Sequence, residues 1–349
     1  MKNSSRPIYL LPCTLILLLA LILTGCNNNN PQNDTQATLT SSLEASSTLP
    51  IKTQVNISAL KGPTSLGLVK LMADAEEELT ENDYNFTLAG AADEVSVGLI
   101  NGSLDIAAIP ANLASVLYNR TEGGLTALAI NTLGVLYVIE NGSSINEVTD
   151  LIGQTIYSTG KGTTPEYALN FVLNKNNIDE ADVNIEFLSE AAEVAASLAQ
   201  GVAAIAVLPE PLVTSVLNQN PDLRIALDLT KEWDKVRSET DGVLVTGIYV
   251  VRTAFLEENP ETVASFLREA EASIAFTSTS PEETANLIVK YGIVPAAPIA
   301  LKALPNCNIV FRSGERMFEE LSGYLKVLYE ANPSSIGGNL PDAEFYYQK

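Results

Sequence analysis

Short apolar runs alternate with segments of helical periodicity along most of the chain after residue 50. The helical segments place apolar residues three or four positions apart, as in "LGLVKLMADAEEEL" (66–79) and "PEYALNFVLNKNN" (165–177). The apolar runs predict strands: "VNISAL" (55–60), "FTLAG" (86–90), "DIAAIPA" (105–111), "QTIYST" (154–159), "NIEFL" (184–188) and "AAIAVLP" (203–209). Strands that alternate with helices form parallel sheets with right-handed crossovers, so the pattern predicts an α/β fold.

The same pattern occurs twice, about one hundred residues apart. Three pairs of segments correspond: "KGPT" (61–64) with "KGTT" (161–164), "YNFTLAGAADEV" (84–95) with "VNIEFLSEAAEV" (183–194), and "LINGSLDIAAIPAN" (99–112) with "LAQGVAAIAVLPEP" (198–211). In each copy a strand ends in a glycine-containing loop that leads directly into a helix. A duplicated unit of this kind predicts two similar lobes.

The end of the chain, from "GVLVTGIYVV" (242–251) through "GERMFEELSGYLKVLYEAN" (314–332), has no repeat partner. The economical interpretation is that it returns to the first lobe. We therefore predict a first lobe of residues 51–137 plus 243–349 and a second lobe of residues 138–242. The two lobes are then joined by two crossings, near 132–141 and 241–247, which act as a hinge.

Ligands of open parallel sheets lie outside the carboxyl ends of the strands, where four loops of this chain are expected to face one another. These loops are Lys61–Ser65, Pro110–Asn112, Tyr157–Pro165 and Pro209–Pro211. Helix N-termini in two of them present free N–H groups, beside Lys61 and Lys161, which favours an anionic group on the ligand. Glu210 allows a basic nitrogen as well.

The first fifty residues predict a secretory leader and a tether. Lys2 and Arg6 precede a long apolar stretch that ends in Leu-Thr-Gly-Cys26, which resembles the bacterial lipobox. We predict a signal peptide of residues 1–25, lipidation of Cys26 and a flexible, Asn-, Ser- and Thr-rich tether of residues 26–50. A transmembrane anchor, or a signal cleaved without lipidation, is the alternative.

The composition argues against several classes of function. The net charge of −22, without a cluster of lysine and arginine, argues against nucleic acid as a partner. The chain has no histidine, which removes His-dependent nucleophilic catalysis and His-ligated zinc. The three cysteines, of which Cys13 lies in the leader, give no disulfide framework. We expect no enzyme activity, no cofactor and no metal, and a body that is monomeric.

The lipobox, the polar tether and the duplicated α/β body resemble the substrate-binding lipoproteins of ABC importers. "LKGPTSLGLVKLM" (60–72) and "GSLDIAAIPANLASVLYN" (102–119) are similar to the branch of sulfonate-, nitrate- and thiamine-precursor-binding (NMT1/THI5-like) proteins. The resemblance covers nearly all of residues 51–349. It implies the type II periplasmic-binding-protein (Venus flytrap) fold, with parallel-type sheets, a two-crossing hinge and closure on a solute that passes to a permease and its ATPase.

Ten residues are the predicted ligand contacts: Lys61, Gly62, Thr64, Ser65, Asn112, Lys161, Gly162, Thr163, Thr164 and Glu210. The resemblance implies Thr64, Ser65, Asn112, Thr163 and Thr164 as donors, with Glu210 at the position that matches Ala111. The sequence leaves structural interpretations open: tight turns for the glycines, helix caps for the hydroxyls and Asn112, and solvent-exposed surface for the lysines and Glu210. We expect Trp233 to pack on the polar crossover and Cys307 to be buried.

The expected function is an extracytoplasmic, membrane-anchored binding protein that captures a small organic solute. A sulfonate, a carboxylate or a thiamine-pyrimidine precursor is the expected kind of ligand. Two alternatives stay open: a lipoprotein that reports a ligand to a membrane kinase or cyclase, and an enzyme of the pyrimidine-synthase type. The enzymes of that type act through a histidine and a cysteine cluster, which this chain lacks.

Overall fold

The computed structural model describes residues 52–348. The predicted signal peptide, Cys26 and the tether lie outside the described residues. Within them, no helix is both long enough and apolar enough to cross a membrane.

Eleven strands are formed by the described residues, and each of the six apolar runs predicted as strands in the two copies of the repeat overlaps one of them. The strands are β1 Gln54–Leu60, β2 Asp83–Ala89, β3 Ile106–Pro110, β4 Leu125–Leu133, β5 Leu136–Asn141, β6 Thr155–Ser158, β7 Asn184–Phe187, β8 Ile205–Pro209, β9 Leu223–Asp228, β10 Val245–Arg252 and β11 Ile309–Arg312.

Twelve α-helices connect or cover these strands in the part of the chain that the structure describes. The helices are α1 Val69–Glu76, α2 Ala92–Asn101, α3 Ala111–Arg120, α4 Thr164–Lys175, α5 Ala191–Ala199, α6 Leu212–Gln219, α7 Leu229–Val236, α8 Thr253–Glu258, α9 Pro260–Thr279, α10 Pro281–Lys290, α11 Ala297–Ala303 and α12 Gly314–Ala331. A 3₁₀ helix, Pro63–Leu68, lies between β1 and α1.

The strands form two sheets, and each sheet is the centre of one lobe. The first has the order β11-β4-β10-β3-β1-β2, and the second has the order β7-β6-β8-β5-β9. The first sheet therefore takes its strands from residues 54–133 and 245–312, and the second from residues 136–228. The two-lobed α/β architecture is confirmed, whereas the lobe boundaries at 138 and 243 stay a prediction.

Strand pairing shows the duplication at the level of single residues. In the first sheet Ile57 of β1 is paired with Ile106 of β3, and in the second Ile156 of β6 is paired with Ile205 of β8. The strands on the other side of β1 and β6 are also equivalent, since Ile57 is paired with Phe86 of β2 and Ile156 with Ile185 of β7. Each pair of the second sheet lies 99 residues after its equivalent in the first. The repeat seen in the sequence is confirmed.

The sheets are mixed, which corrects the expectation of parallel-type sheets. Strands β1, β2 and β3 are parallel, as are β6, β7 and β8, but β10 runs antiparallel to β3 and β5 runs antiparallel to β8. The physical reason is the double crossing: β5 follows β4 directly into the second lobe, and β10 brings the chain back into the first. Each arriving strand enters its sheet from the edge where the parallel strands end, with Gly247 opposite Pro110 and Leu136 opposite Pro209.

The hydrophobic core continues from one lobe into the other beneath the last long helix. One cluster of buried side chains includes Ile109 and Ile130 of the first sheet, Tyr324 of α12, Trp233 of α7 and Val172 of α4. Helix α12 packs against α3 and β4 of the first lobe and also contacts α4 of the second. The unrepeated C-terminal segment thus completes the first lobe and touches the second.

Candidate functional site

The loop after β1 is shaped by a glycine and by two hydroxyl groups that bond to the local backbone. Gly62 has a φ of 147°, in the region that favours glycine. Thr64 Oγ1 donates to the carbonyl oxygen of Leu60 at 3.3 Å, and Ser65 Oγ donates to that of Gly62 at 2.9 Å. The chain therefore turns from a strand into a 3₁₀ helix at the carboxyl end of the first sheet.

The loop after β6 is its equivalent in the second lobe. Gly160 and Gly162 have φ values of 69° and 77°, and α4 begins two residues after the second glycine. Thr163 Oγ1 donates to the carbonyl oxygen of Gly160 at 2.6 Å. Thr164 Oγ1 lies 3.0 Å from the hydroxyl of Tyr324, a residue of α12. Both hydroxyls are therefore bonded within the protein.

These two loops face one another across a cavity of about 390 Å³. Its walls come from the carboxyl ends of β1, β3, β6 and β8 and from the first residues of the two crossing strands. The lining residues are Leu60, Lys61, Gly62, Pro63, Thr64, Ala92, Pro110, Asn112, Leu113, Val135, Leu136, Thr159, Thr163, Thr164, Pro165, Val207, Pro209 and Thr246. Among these described residues none is aromatic, and Lys61 alone carries a charge. The cavity is apolar, with hydroxyl groups and one amide at its wall.

Six of the ten predicted contacts line this cavity: Lys61, Gly62, Thr64, Asn112, Thr163 and Thr164. Asn112 is buried in the first turn of α3, and its Nδ2 is 3.5 Å from the carbonyl oxygen of Ser335. The ammonium of Lys61 lies beside Gly292, 3.5 Å from where a Cβ on that glycine would stand. Lys61 thus lines the cavity, whereas its ammonium lies beside a residue that does not line it.

The structure places the other four predicted contacts elsewhere. Ser65 is fully buried and bonded to the Gly62 backbone, so its hydroxyl acts as a cap. Lys161 and Gly162 line a different cavity of about 640 Å³ between α4 and α12, and the Lys161 ammonium is 5.8 Å from the centre of the Phe187 ring.

Glu210, the fourth, follows β8, is fully buried and does not line the cavity. Its carboxylate accepts hydrogen bonds from the amide of Thr214 at 3.0 Å and from the Thr214 hydroxyl at 2.8 Å. Asn306 Nδ2 of the first lobe lies 3.4 Å from the same carboxylate. Burial raises the pKa of Glu210, and the hydrogen bonds from Thr214 and Asn306 oppose that rise. The expected recognition of a basic ligand nitrogen by Glu210 therefore has no support in its placement.

Sequence reasoning did not single out most of the apolar wall. Leu60, Leu113 and Val207 are ordinary core residues by type, and Val135, Leu136 and Thr246 belong to the crossings. Two signals were present in the sequence: these residues adjoin the ends of predicted strands, and Val135, Leu136 and Thr246 lie within the predicted crossings. In the described part of the chain there is no group of three or more Cys, Asp or Glu side chains placed to hold a metal ion.

Comparison with known proteins gives the same fold. Residues 124–284 match the model of a family described as NMT1/THI5 like. No curated protein sequence matches the chain.

Three solved structures resemble this one over most of its length. An ABC transporter from Parabacteroides distasonis is 23% identical, with a TM-score of 0.72, and covers 85% of this chain and 100% of its own. The periplasmic aliphatic sulphonate-binding protein SsuA from Escherichia coli is 17% identical, with a TM-score of 0.68, and the match covers 84% of this chain and 92% of SsuA. The alkanesulfonate-binding protein SsuA from Xanthomonas axonopodis pv. citri, bound to MOPS, is 15% identical, with a TM-score of 0.63. The match covers 83% of this chain and 94% of that protein. The predicted resemblance is confirmed: residues 124–284 match the NMT1/THI5-like family model, and the two lobes have the fold of these solved structures.

Proposed function

We propose that the chain is the extracytoplasmic solute-binding protein of an ABC importer, which captures a small organic solute between its lobes and delivers it to a membrane permease. The observation that carries this proposal is the single cavity that equivalent loops of the two repeats line from opposite sides. The structural neighbours are described as transport and binding proteins, which supports binding without turnover.

Capture follows from contacts with both lobes. A ligand that touches Thr64 and Leu113 on one side and Thr163 and Val207 on the other binds the closed arrangement better than the open one. A ligand shifts an equilibrium between two conformations only by its difference in affinity for them. Closure about the crossings is therefore the expected response, and the permease is the partner that distinguishes closed from open.

The wall of the cavity favours a ligand with an aliphatic body and one small polar or anionic group. Aliphatic side chains and prolines form most of the wall, and none of the lining residues is an aspartate or a glutamate. Lys61 is the one charged residue of the lining, and Asn112 and the threonines are its polar residues. Since none of the lining residues has an aromatic ring for stacking, a pyrimidine is the less favoured ligand. An alkanesulfonate or a short carboxylate fits this description.

A thermal-shift experiment tests this function. The full-length protein would be screened with MOPS, alkanesulfonates, carboxylates, nitrate and an aminopyrimidine. A ligand at a hundredfold excess over Kd stabilises the folded state by about 2.7 kcal/mol. Ala92→Phe, which places a ring in the cavity, is expected to abolish the shift. Ala91→Phe, at the exposed neighbouring position outside the lining, is the matched control and is expected to retain it.

The outcomes separate the site from the function. A shift that survives Ala92→Phe means that the solute binds elsewhere. If no compound produces a shift, the proposed ligand class is rejected.

Lipid anchoring through Cys26 is part of the proposal, and it is supported by the lipobox-like end of the leader. Metabolic labelling with palmitate, followed by membrane fractionation, tests it in cells. Cys26→Ser is expected to lose the label and to leave the membrane fraction, with Cys307→Ser as the control. A wild-type chain without label would contradict the anchor and leave the binding function untouched.

A further inference from the structure

Two hydrogen bonds join α4 of the second lobe to α12 and to Asn332, the residue that follows it. Thr164 Oγ1 and Tyr324 Oη lie 3.0 Å apart, and Asn332 Nδ2 donates to Tyr167 Oη at 3.1 Å. Thr164 lines the cleft cavity, whereas Tyr167 and Asn332 line the separate cavity between α4 and α12. Only the first bond therefore ends at the proposed binding site.

Tyr324 is held rigidly where it meets Thr164. Its side chain is fully buried, and its ring packs against Trp233 at a centroid distance of 6.0 Å. The backbone of α12 beside it is in close contact with the second crossing, since a Cβ on Gly323 would lie 2.6 Å from the amide nitrogen of Gly242. Burial raises the pKa of Tyr324 well above its usual range, so the hydroxyl is neutral and keeps its proton. Such a side chain is a fixed reference point for a neighbouring loop.

The Tyr324 hydroxyl has one hydrogen-bond partner among the described residues, and that partner is Thr164. A buried hydroxyl left without a partner is costly, so the bond resists breaking from both ends. Thr164 is also the first residue of α4, directly after the loop that carries Gly160, Gly162 and Thr163. A movement of the loop that carries Thr164 away from Tyr324 has to break the bond.

We propose that Tyr324, which does not line the cleft, is a positioning residue for it. Tyr324 fixes the loop 159–164 in its ligand-facing position through the Thr164 hydroxyl, and it thereby sets the affinity of the cleft. This inference rests on the proposed function for its second half, the effect on affinity. Its first half, the positioning of the loop, stands on the geometry alone.

Hydrogen exchange in the ligand-free, full-length protein tests the positioning. Tyr324→Phe removes only the hydroxyl, and the amides of residues 160–164 are expected to exchange about fivefold faster, as the loss of one hydrogen bond predicts. Tyr167→Phe is the matched control, because it removes the other α4–α12 hydroxyl contact, about one turn further from the cleft. Equal exchange in this loop for Tyr324→Phe and wild type, or an equal increase in both variants, would overturn the inference. If Tyr324→Phe does not fold, Thr164→Val tests the same bond from its other end.

Titration with MOPS tests the effect on affinity. Tyr324→Phe is expected to weaken MOPS binding about fivefold, and Tyr167→Phe to leave it unchanged. The double variant Tyr324→Phe/Thr164→Val is expected to bind no more weakly than Thr164→Val alone, since both changes remove one bond. Additive losses would mean that Tyr324 and Thr164 affect ligand binding by separate routes and would reject this half. If MOPS does not bind the wild type, MOPS is rejected as a ligand for the proposed function, while the exchange result still decides the positioning.

Discussion

The indole ring of Trp233 stacks on the phenyl ring of Phe171, with ring centroids 3.8 Å apart and an angle of 28° between the planes. Trp233 lies on α7, which precedes the return crossing, and its indole N–H donates to the carbonyl oxygen of Gly242 in that crossing at 3.2 Å. Phe171 lies on α4, whose first residue borders the cleft. The stack therefore ties the second lobe's cleft-forming helix to the crossing. Because Trp233 is the one tryptophan of the sequence, its fluorescence reports on this contact.

Phe171→Ala is expected to lower the free energy of unfolding by about 3 kcal/mol, since it removes a large ring from a stacked and largely apolar contact. Water would reach the indole, so the emission maximum of Trp233 should move to longer wavelength. Urea denaturation and emission spectra measure the two effects. Phe318→Ala is the control, because Phe318 is 37% exposed on α12. This variant should lose less stability and leave the emission maximum of Trp233 unchanged. Equal losses in the two variants would contradict the importance of the stack.

The sequence predicted the architecture well because the architecture is periodic and duplicated. Alternating apolar runs located the strands, and the offset between the copies placed their loops at equivalent ends of two sheets. The pairing of Ile57 with Ile106, and of Ile156 with Ile205, shows that this offset holds residue by residue. Six predicted contacts consequently meet around one cavity.

The partners of α12 could not be predicted in the same way. Tyr324 and Thr164 are 160 residues apart, and no periodicity within either helix encodes their contact. Glu210 shows the same limit on a smaller scale. Its position at the end of β8 is the one predicted, but Thr214, one helical turn later, satisfies its carboxylate and holds it inside the protein. Local pattern gives the position along the strand, and tertiary packing decides the direction of the side chain.

Glu140 is expected to make the protein less stable in acid. Burial by itself raises the pKa of this carboxyl, but hydrogen bonds from Ser144 and Ile145, together with the Arg224 guanidinium 2.6 Å away, outweigh burial. The net pKa lies below the usual 4.5. The stabilisation is therefore complete above the unfolded-state pKa and is lost as the pH falls through the lower, folded-state pKa.

Urea denaturation of wild type and Glu140→Gln between about pH 3 and about pH 7 measures this contribution. The difference in the free energy of unfolding between the two proteins should shrink as the pH falls below 4.5. A difference that stays constant across the range would mean that Glu140 has the same pKa in both states.

Glu210 is expected to show the opposite pH dependence. Burial raises its folded-state pKa, so the folded protein binds its proton more tightly than the unfolded chain does. The contribution of this group to stability is thus fully present below the unfolded-state pKa and is lost as the pH rises through the folded-state pKa. Glu210→Gln does not titrate, so its free energy of unfolding should increase relative to that of the wild type as the pH rises above 4.5.

The comparison of Glu210→Gln with wild type uses the pH dependence of the stability difference, not its absolute value. The amide of glutamine loses one acceptor towards Thr214, which adds a constant cost at every pH. Thr214→Val provides the control, because it removes the 2.8 Å hydroxyl contact and keeps the titrating carboxyl. A wild type that becomes more stable relative to Glu210→Gln as the pH rises would refute the raised pKa.

A glycine can be required for its backbone conformation or for the absence of a Cβ, and Gly242 and Gly162 differ in the second of these requirements. Both have positive φ values, 63° and 77°, so a side chain at either position is strained by about 1–2 kcal/mol. They differ in their surroundings. A Cβ on Gly242 would lie 2.4 Å from the carbonyl oxygen of Glu320 and 2.6 Å from the amide nitrogen of Tyr324, whereas a Cβ on Gly162 would meet no atom within 4 Å.

Gly162→Ala is therefore expected to cost only the backbone strain, about 1–2 kcal/mol in the free energy of unfolding. Gly242→Ala should cost more than about 3 kcal/mol, because the methyl group also pushes the second crossing away from the backbone of α12, which cannot rotate aside. Urea denaturation of the two variants measures the difference. Because the crossing and α12 also fix Tyr324, Gly242→Ala should in addition speed hydrogen exchange in residues 160–164. If both alanine variants lose the same stability, the close packing of Gly242 against α12 contributes nothing to the fold.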